Sequence, residues 1–307
     1  MERKVLIAGA GPAGLTAGIY GRRAKLETII VEQSFPGGTI TLADKIENYP
    51  GFPRGVSGQE LAALMEQQYR NLGGQILNGE ISQVVPGKQQ HTLILSDGQK
   101  LIGPALIIAT GTTRKKLGVP GEENLAGRGV SYCAVCDGAF FKNRTVAVVG
   151  GGDAALMEAL HLAHLAARCF LIHRRDSFRA AASLQEEVFK NPKITPVLSA
   201  VVESITGSTR VESIVVRSLA TGKTEPIAVD GVFVSVGQQP RSEFLNEVVR
   251  LSPSGHILTD ETMATSCPGI FACGDVRKKH LYQIVSACSD GAIAAYFAER
   301  YLTQSGK

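Results

Sequence analysis

Two cysteines separated by two residues stand near the middle of the chain, in Tyr132-Cys133-Ala134-Val135-Cys136-Asp137-Gly138. At that spacing a pair of thiols can close a small disulfide or share a metal ion. Zinc needs four ligands, and no second close pair exists: Cys267 and Cys273 are separated by five residues, and Cys169 and Cys288 are isolated. A dithiol that cycles between open and closed forms is the better reading, with no metal. Asp137 follows directly, and a carboxylate there is placed to move the proton that thiol–disulfide exchange requires.

Such a pair needs an electron source, and a nucleotide-binding pattern lies on each side of it. The order strand, glycine turn, helix, strand occurs twice. The first copy is Lys4 to Ala8, then Gly9-Ala10-Gly11-Pro12-Ala13-Gly14, then a helix to about Ala24 and a strand Thr28 to Val31 that ends at Glu32. The second is Thr145 to Val149, then Gly150-Gly151-Gly152-Asp153-Ala154-Ala155, then a helix to about Ala167 and a strand Cys169 to Ile172 that ends at His173-Arg174-Arg175. A glycine triplet alone says little, but here each follows a β-rich run and opens a helix. The first glycine makes the turn, the second lets backbone approach a pyrophosphate, and Gly14 or Ala155 lets helix and strand pack closely. Unpaired N–H groups at the helix start then face the phosphates.

The copies differ where their ligands should differ. Glu32 lies 21 residues after Gly11, about where an acid accepts hydrogen bonds from both ribose hydroxyls. The matching point of the second copy holds Arg174, Arg175 and, one turn later, Arg179. A carboxylate repels a 2′-phosphate, whereas guanidinium forks pair with it. The first copy therefore suits FAD or NAD, and the second NADPH.

The chain as a whole agrees with this α/β pattern. Its 307 residues are enough for about two domains. Glycine, at 34 residues, is well above the usual share without a matching excess of proline, which suggests tight turns and close backbone approaches. The net charge of +4 forms no nucleic-acid stripe, and six cysteines are too few for a secreted disulfide scaffold. Met1-Glu2-Arg3-Lys4 followed by a short apolar run reads as the lead-in to a first strand rather than a signal peptide. No stretch approaches about 20 uninterrupted apolar residues, so the expectation is a soluble cytoplasmic protein with no membrane or nucleic-acid partner.

Taken together, the motifs resemble those of bacterial low-molecular-weight thioredoxin reductases along essentially the whole chain. They are Gly9 to Gly14, Gly37-Gly38, Glu47-Asn48-Tyr49-Pro50-Gly51, Ala109-Thr110-Gly111, Cys133 to Asp137, Gly150 to Ala155, His173 to Arg179, and Gly269 to Asp275. The resemblance implies two Rossmann-like nucleotide-binding domains, the NADPH domain (114–243) inserted into a discontinuous FAD domain (1–113 and 244–307). It implies FAD on Gly9, Gly11, Pro12, Ala13, Gly14, Glu32, Gly38, Thr39, Asn48, Gly111, Gly274, Asp275, Gln283 and Ile284. It implies NADPH on Gly150, Gly152, Asp153, Ala155, His173, Arg174, Arg175 and Arg179. The implied reaction runs from NADPH to FAD, from FADH⁻ to the Cys133–Cys136 disulfide, and from the dithiol to thioredoxin or a thioredoxin-like protein, with Asp137 assisting. A homodimer is also implied.

One consequence is mechanical. The cysteine pair begins 17 residues before Gly150, so electron donor and disulfide share the inserted domain and must meet the same flavin in turn. That domain has to swing on its two linkers.

The match departs in places. Thr39 stands for a glutamine, Tyr282 for an arginine, Cys288-Ser289 for alanine-glycine, and Met157 for the first of two glutamates, of which Glu158 is kept. Lys115-Lys116 and Arg277-Lys278-Lys279-His280 read as solvated basic turns, His161 and His164 as packing, and the four remaining cysteines as buried small side chains. The same scaffold could serve a glutaredoxin-like or peroxide-reducing partner, or draw on NADH or ferredoxin. The arginines disfavour NADH.

Overall fold

The computed structural model describes residues 4–43 and 45–305. Met1-Glu2-Arg3, read above as the lead-in to the first strand, lies outside the described residues. The chain forms two compact units, one from residues up to 113 with those from 239 onward, the other from Arg114–Gln238.

In the first unit the run Lys4–Ala8 is strand β1, followed by helix α1 (Pro12–Arg23) and strand β2 (Glu27–Glu32). Pro12 opens α1 where a missing N–H costs nothing. Helix α2 (Gly58–Asn71) starts at Ser57, whose hydroxyl accepts the Glu60 N–H, and leads to β3 (Gln75–Asn78). An antiparallel meander of β4 (Ile81–Val85), β5 (His91–Leu95) and β6 (Lys100–Gly103) precedes β7 (Ala105–Ile108) and the short β8 (Thr112–Arg114).

The second unit repeats the plan. Strand β9 (Val130–Ser131) and the four-residue helix α3 (Ala134–Asp137) lead to β10 (Thr145–Val149), helix α4 (Asp153–Leu165) and β11 (Arg168–Ile172). Helix α5 (Ala182–Lys190) and β12 (Ile194–Val197) follow. A second meander of β13 (Ala200–Thr206), β14 (Ser213–Ser218) and β15 (Thr224–Ala228) precedes β16 (Gly231–Val234). The chain returns through β17 (Gln238–Pro240) to complete the first unit with β18 (Ile270–Ala272) and helix α6 (Ile284–Ser305).

Each unit is built on a parallel sheet, ordered β18-β7-β1-β2-β3 in the first and β12-β11-β10-β16-β9 in the second. In both, the winding reverses at the central strand, β1 or β10. That switch opens a crevice at the strand's carboxyl end, where the glycine turn lies. Alternation along β1 shows why the sheet is apolar throughout: Val5 and Ile7 enter the core shared with the helices, while Leu6 and Ala8 enter the core shared with Val84, Leu93 and Leu95 of the meander. In β10, Val146 and Val148 face the helices and Ala147 and Val149 the second meander. A strand covered on both faces reads as a continuous apolar run.

The return boundary differs from the sequence expectation. Residues 239–243, assigned in sequence to the inserted domain, fold with the first unit. Arg241 donates its N–H to the Gly111 carbonyl at 3.0 Å, and the Thr113 and Thr110 hydroxyls donate to the carbonyls of Gln239 and Arg241. These bonds tie the segment to the end of β7, which hydrophobic patterning alone does not reveal.

Candidate functional site

In the first unit the expected flavin residues gather at the end of β1. Gly9 has φ +103° and its added Cβ would lie 2.5 Å from the Ala109 carbonyl oxygen, so only glycine turns there without displacing β7. A Cβ at Gly14 would lie 1.9 Å from the Gly9 carbonyl oxygen. A Cβ at Gly11 would point into open space, α1 has no side-chain cap, and its first turn carries no acid. Its leading N–H groups are thus left for an anion. Glu32 is fixed beside them, one oxygen accepting the Ala10 N–H at 2.7 Å and the other the Ser34 N–H at 3.0 Å. A cleft of about 380 Å³ opens here, lined by Gly9, Glu32, Thr110, Thr113, Arg241 and Glu243 among others. An open glycine, an uncapped helix start and a positioned carboxylate fit an adenine dinucleotide.

The other residues expected to hold the flavin come from distant segments. The Gly37 N–H donates to the Ala10 carbonyl and brings Gly38 against Gly11. Asn48 donates its Nδ2 to Gln283 Oε1 at 3.1 Å across 235 residues of sequence. Gly274 abuts Ala13 and donates its N–H to Asp290. Thr39 lies exposed in the turn Gly38–Leu42, Gly111 sits at the end of β7 with φ +66°, and Ile284 is the first residue of α6. Gly14→Ala is expected to yield protein that purifies colourless, because the added methyl must push α1 off β1; retention of flavin absorbance would refute this.

In the second unit the glycine turn is equally tight. A Cβ at Gly150 would meet the Ser235 carbonyl oxygen at 2.3 Å, one at Gly151 the His173 ring at 2.2 Å, while Gly152 is open. Ala155 is fully buried, and Asp153 turns its carboxylate away to accept the Ala181 N–H at 2.8 Å. The Arg179 N–H bonds the Gly151 carbonyl, which anchors the arginine turn to the glycine turn. Arg174, Arg175 and Arg179 are exposed, and His173 is buried against Phe178. Burial first, and then Arg179, Arg175 and Arg174, hold the His173 imidazole below its usual pKa. The turn is therefore a cationic site beside a neutral ring, which suits a phosphate.

Cys133 and Cys136 form a disulfide around α3, their Cα atoms 5.3 Å apart. Both are partly exposed. Cys133 Sγ accepts the Cys136 N–H, and the Asp137 N–H returns to the Cys133 carbonyl. Buried Ser131 organises the turn: its hydroxyl donates to Asp137 Oδ2 at 2.6 Å and accepts the Cys133 N–H at 3.1 Å. Ser131 escaped the sequence reading, although its place two residues before Cys133 is a side chain-to-backbone turn signal.

The basic turn after β18 departs from the sequence expectation. Arg277 and Lys279 are not solvated: their side chains are 15% and 7% exposed. Arg277 pairs with Asp290 Oδ1 at 3.1 Å, and Lys279 pairs with Asp275 Oδ1 at 3.1 Å and Asp290 Oδ2 at 3.3 Å. Asp290 on α6 draws both cations inward, since a buried carboxylate needs compensating charge. Lys278 and His280 are exposed; so is His164, against the expectation that it packs, while His161 is half-buried. Tyr282, in the arginine's place, packs on His256 and beneath the Lys279 ammonium. Cys288 lies 3.7 Å from the Tyr49 hydroxyl, whose pKa is pushed up to about 12 by burial and then by Cys288. Cys169 and Cys273 are buried as expected, whereas Cys267 and Cys288 depart from that expectation and are only partly buried.

Burial pushes the Glu158 carboxyl on α4 up to about 7; the Ser235 side chain, Arg114 and the Ala134 backbone pull the other way. A raised carboxyl pKa means that the folded form holds the proton more tightly than the unfolded one. Stability from that proton is complete below the ordinary carboxylate range and is lost as pH rises through about 7. Glu158→Gln is expected to leave the thermal midpoint unchanged in acid and raise it by about 2–6 °C in mild alkali. Equal shifts in both conditions would contradict the titration.

The sequence profile of the pyridine nucleotide-disulphide oxidoreductase family matches residues 3–291, and the chain belongs to that family. Thioredoxin reductase from Listeria innocua is 43% identical over 301 residues, covering 98% of this chain and 94% of that protein. Thioredoxin reductase from Treponema pallidum is 42% identical, covering 97% and 96%. The crystal structure of thioredoxin reductase from Streptococcus pyogenes matches with TM-score 0.92 at 40% identity, covering 99% and 100%. The chain is an FAD-dependent disulfide oxidoreductase of the thioredoxin reductase type, with FAD and NADPH as its cofactors.

Proposed function

We propose that this protein takes electrons from NADPH on its second unit, relays them through FAD on its first, and delivers them from Cys133 and Cys136 to a thioredoxin or thioredoxin-like protein. The observation that carries the reading is the partly exposed Cys133–Cys136 disulfide with a carboxylate clamped one turn away. When bound, the flavin supplies a two-electron relay between nicotinamide and sulfur.

The chain's own residues do the rest. Glu32 accepts the ribose hydroxyls of the flavin nucleotide, and the start of α1 holds its pyrophosphate. Arg174, Arg175 and Arg179 grip the 2′-phosphate of NADPH, with the start of α4 on its pyrophosphate. Asp137, aimed by Ser131, takes a proton from the attacking thiol and gives it to the leaving sulfur. Donor site and disulfide belong to one unit and serve a flavin on the other, so the connections at 113/114 and 238/239 act as hinges.

Val135 and Phe140, 53% and 59% exposed, give the disulfide an apolar rim, which favours a protein disulfide as acceptor over a small one. We place the enzyme in the cytoplasm as a homodimer. Among the described residues no helix is long and apolar enough to cross a membrane. Gel filtration at twice the 32.6 kDa chain mass would support the dimer, and elution at the chain mass would refute it.

Anaerobic mixing tests donor and acceptor together. NADPH should bleach the flavin much faster than NADH, and an added oxidised thioredoxin should restore its colour. Bleaching without recovery would exclude thioredoxin as acceptor.

A further inference from the structure

Glu158 is a carboxylate that the reaction above leaves unused. It lies on α4, against which the redox turn packs: a side chain at Gly138 would touch Leu162, Leu165 and His161 of that helix. Its Oε2 is buried without a hydrogen-bond partner. Its polar neighbours are the Ser235 side chain and the backbone of Ala134, the residue next to Cys133. Met157 beside it is uncharged and half exposed. A buried oxygen with no partner is costly as a purely structural feature, and its place beside the disulfide turn points to chemistry.

Resting on the disulfide-reductase reading, we propose that Glu158 is the proton store of the Cys133–Cys136 pair, ionised while the disulfide is closed and protonated once it opens. Opening breaks the S–S bond with two electrons from the NADPH-driven reaction; one sulfur takes a proton and the other remains a thiolate. The new negative charge raises the proton affinity of the nearby carboxylate, which takes a second proton from water. Attack on the partner's disulfide forms a bond to one partner sulfur and expels the other. Closure of Cys133–Cys136 then breaks the mixed disulfide. The enzyme's thiol proton and the Glu158 proton end on the two partner sulfurs.

Burial already holds this carboxyl near 7, so a modest added charge suffices at neutral pH. Arg114 is the charged group acting on it, in favour of ionisation. The elements packed on α4 carry Asp137 on α3, Arg168 and Cys169 on β11, and Glu186, Glu187 and Lys190 on α5. Glu186 and Lys190 pair with each other in solvent. On α4 itself, Asp153 is bonded to the Ala181 N–H, and His161 and His164 lie further along. Glu158 acts on the sulfurs through its charge and exchanges its proton through water, as a positioning residue.

The test is the pH profile of iodoacetamide alkylation of the NADPH-reduced holoenzyme, read by mass spectrometry on the Cys133–Cys136 peptide. Wild type is expected to show two inflections, one near neutrality. Glu158→Gln should lose that inflection and shift the other to lower pH, and Glu158→Asp should keep two inflections with the neutral one displaced. A Glu158→Gln profile that superimposes on wild type overturns the proposal while leaving the disulfide-reductase reading intact. Failure of NADPH to expose the two cysteines in wild type overturns both. Should the glutamine variant fail to fold, Glu158→Asp decides: a displaced neutral inflection supports the proposal, and an unmoved one overturns it.

Discussion

Cys136→Ser is expected to cut electron delivery to a disulfide protein by about 10³-fold or more, while NADPH oxidation with a small dye acceptor continues at the wild-type rate. The hydroxyl cannot form the sulfur bridge, and its proton is held too firmly for exchange at neutral pH. The turn itself should survive, because the bond from the Cys136 N–H to Cys133 Sγ and the Ser131–Asp137 bond do not involve the lost sulfur. A dye that draws electrons at the flavin bypasses the missing bridge. Steady-state assays with the two acceptors on one preparation make the comparison. Loss of both activities would show that flavin and sulfur functions are not separable.

The second large effect is on the choice of donor. Replacing Arg174 and Arg175 by Ala is expected to raise the KM for NADPH by about 10²- to 10³-fold, since each charge-assisted hydrogen bond is worth roughly 1.5–3 kcal/mol. The KM for NADH should barely move, because its ribose carries no 2′-phosphate. Both side chains are exposed, and the fold around them is held by other groups, notably the buried His173 and the Arg179 N–H on the Gly151 carbonyl. Burial, and after it Arg179, Arg175 and Arg174, hold the His173 imidazole below its usual pKa. KM measurements for the two nucleotides decide the matter: a common increase would remove the 2′-phosphate argument.

The parts of this site legible in the sequence are those whose residues are neighbours in the chain. The glycine turns, Glu32 at the end of β2, the arginines after β11 and the Cys133–Cys136 pair are each set by spacing within one strand–turn–helix segment. Local geometry leaves such segments few alternatives. The two central strands were equally plain, since burial on both faces makes Lys4–Ala8 and Thr145–Val149 apolar end to end.

The rest depended on partners that are remote in the chain. Nothing near Arg277 or Lys279 announces that Asp290, on a helix beginning five residues after Lys279, will take them out of water. Asn48 meets Gln283, and Cys288 meets Tyr49, only because α6 returns to α1 after the second unit is complete. The return boundary at 238/239 rests on the Arg241 N–H bonded to Gly111 and on the Thr110 and Thr113 hydroxyls, and the proton affinity of Glu158 rests on what buries it. The order of residues thus determined which reactions the chain can perform. Folding decided which of its charges are paired, buried or left to titrate, because burial and Coulomb energy depend on distance in space and not on distance along the chain.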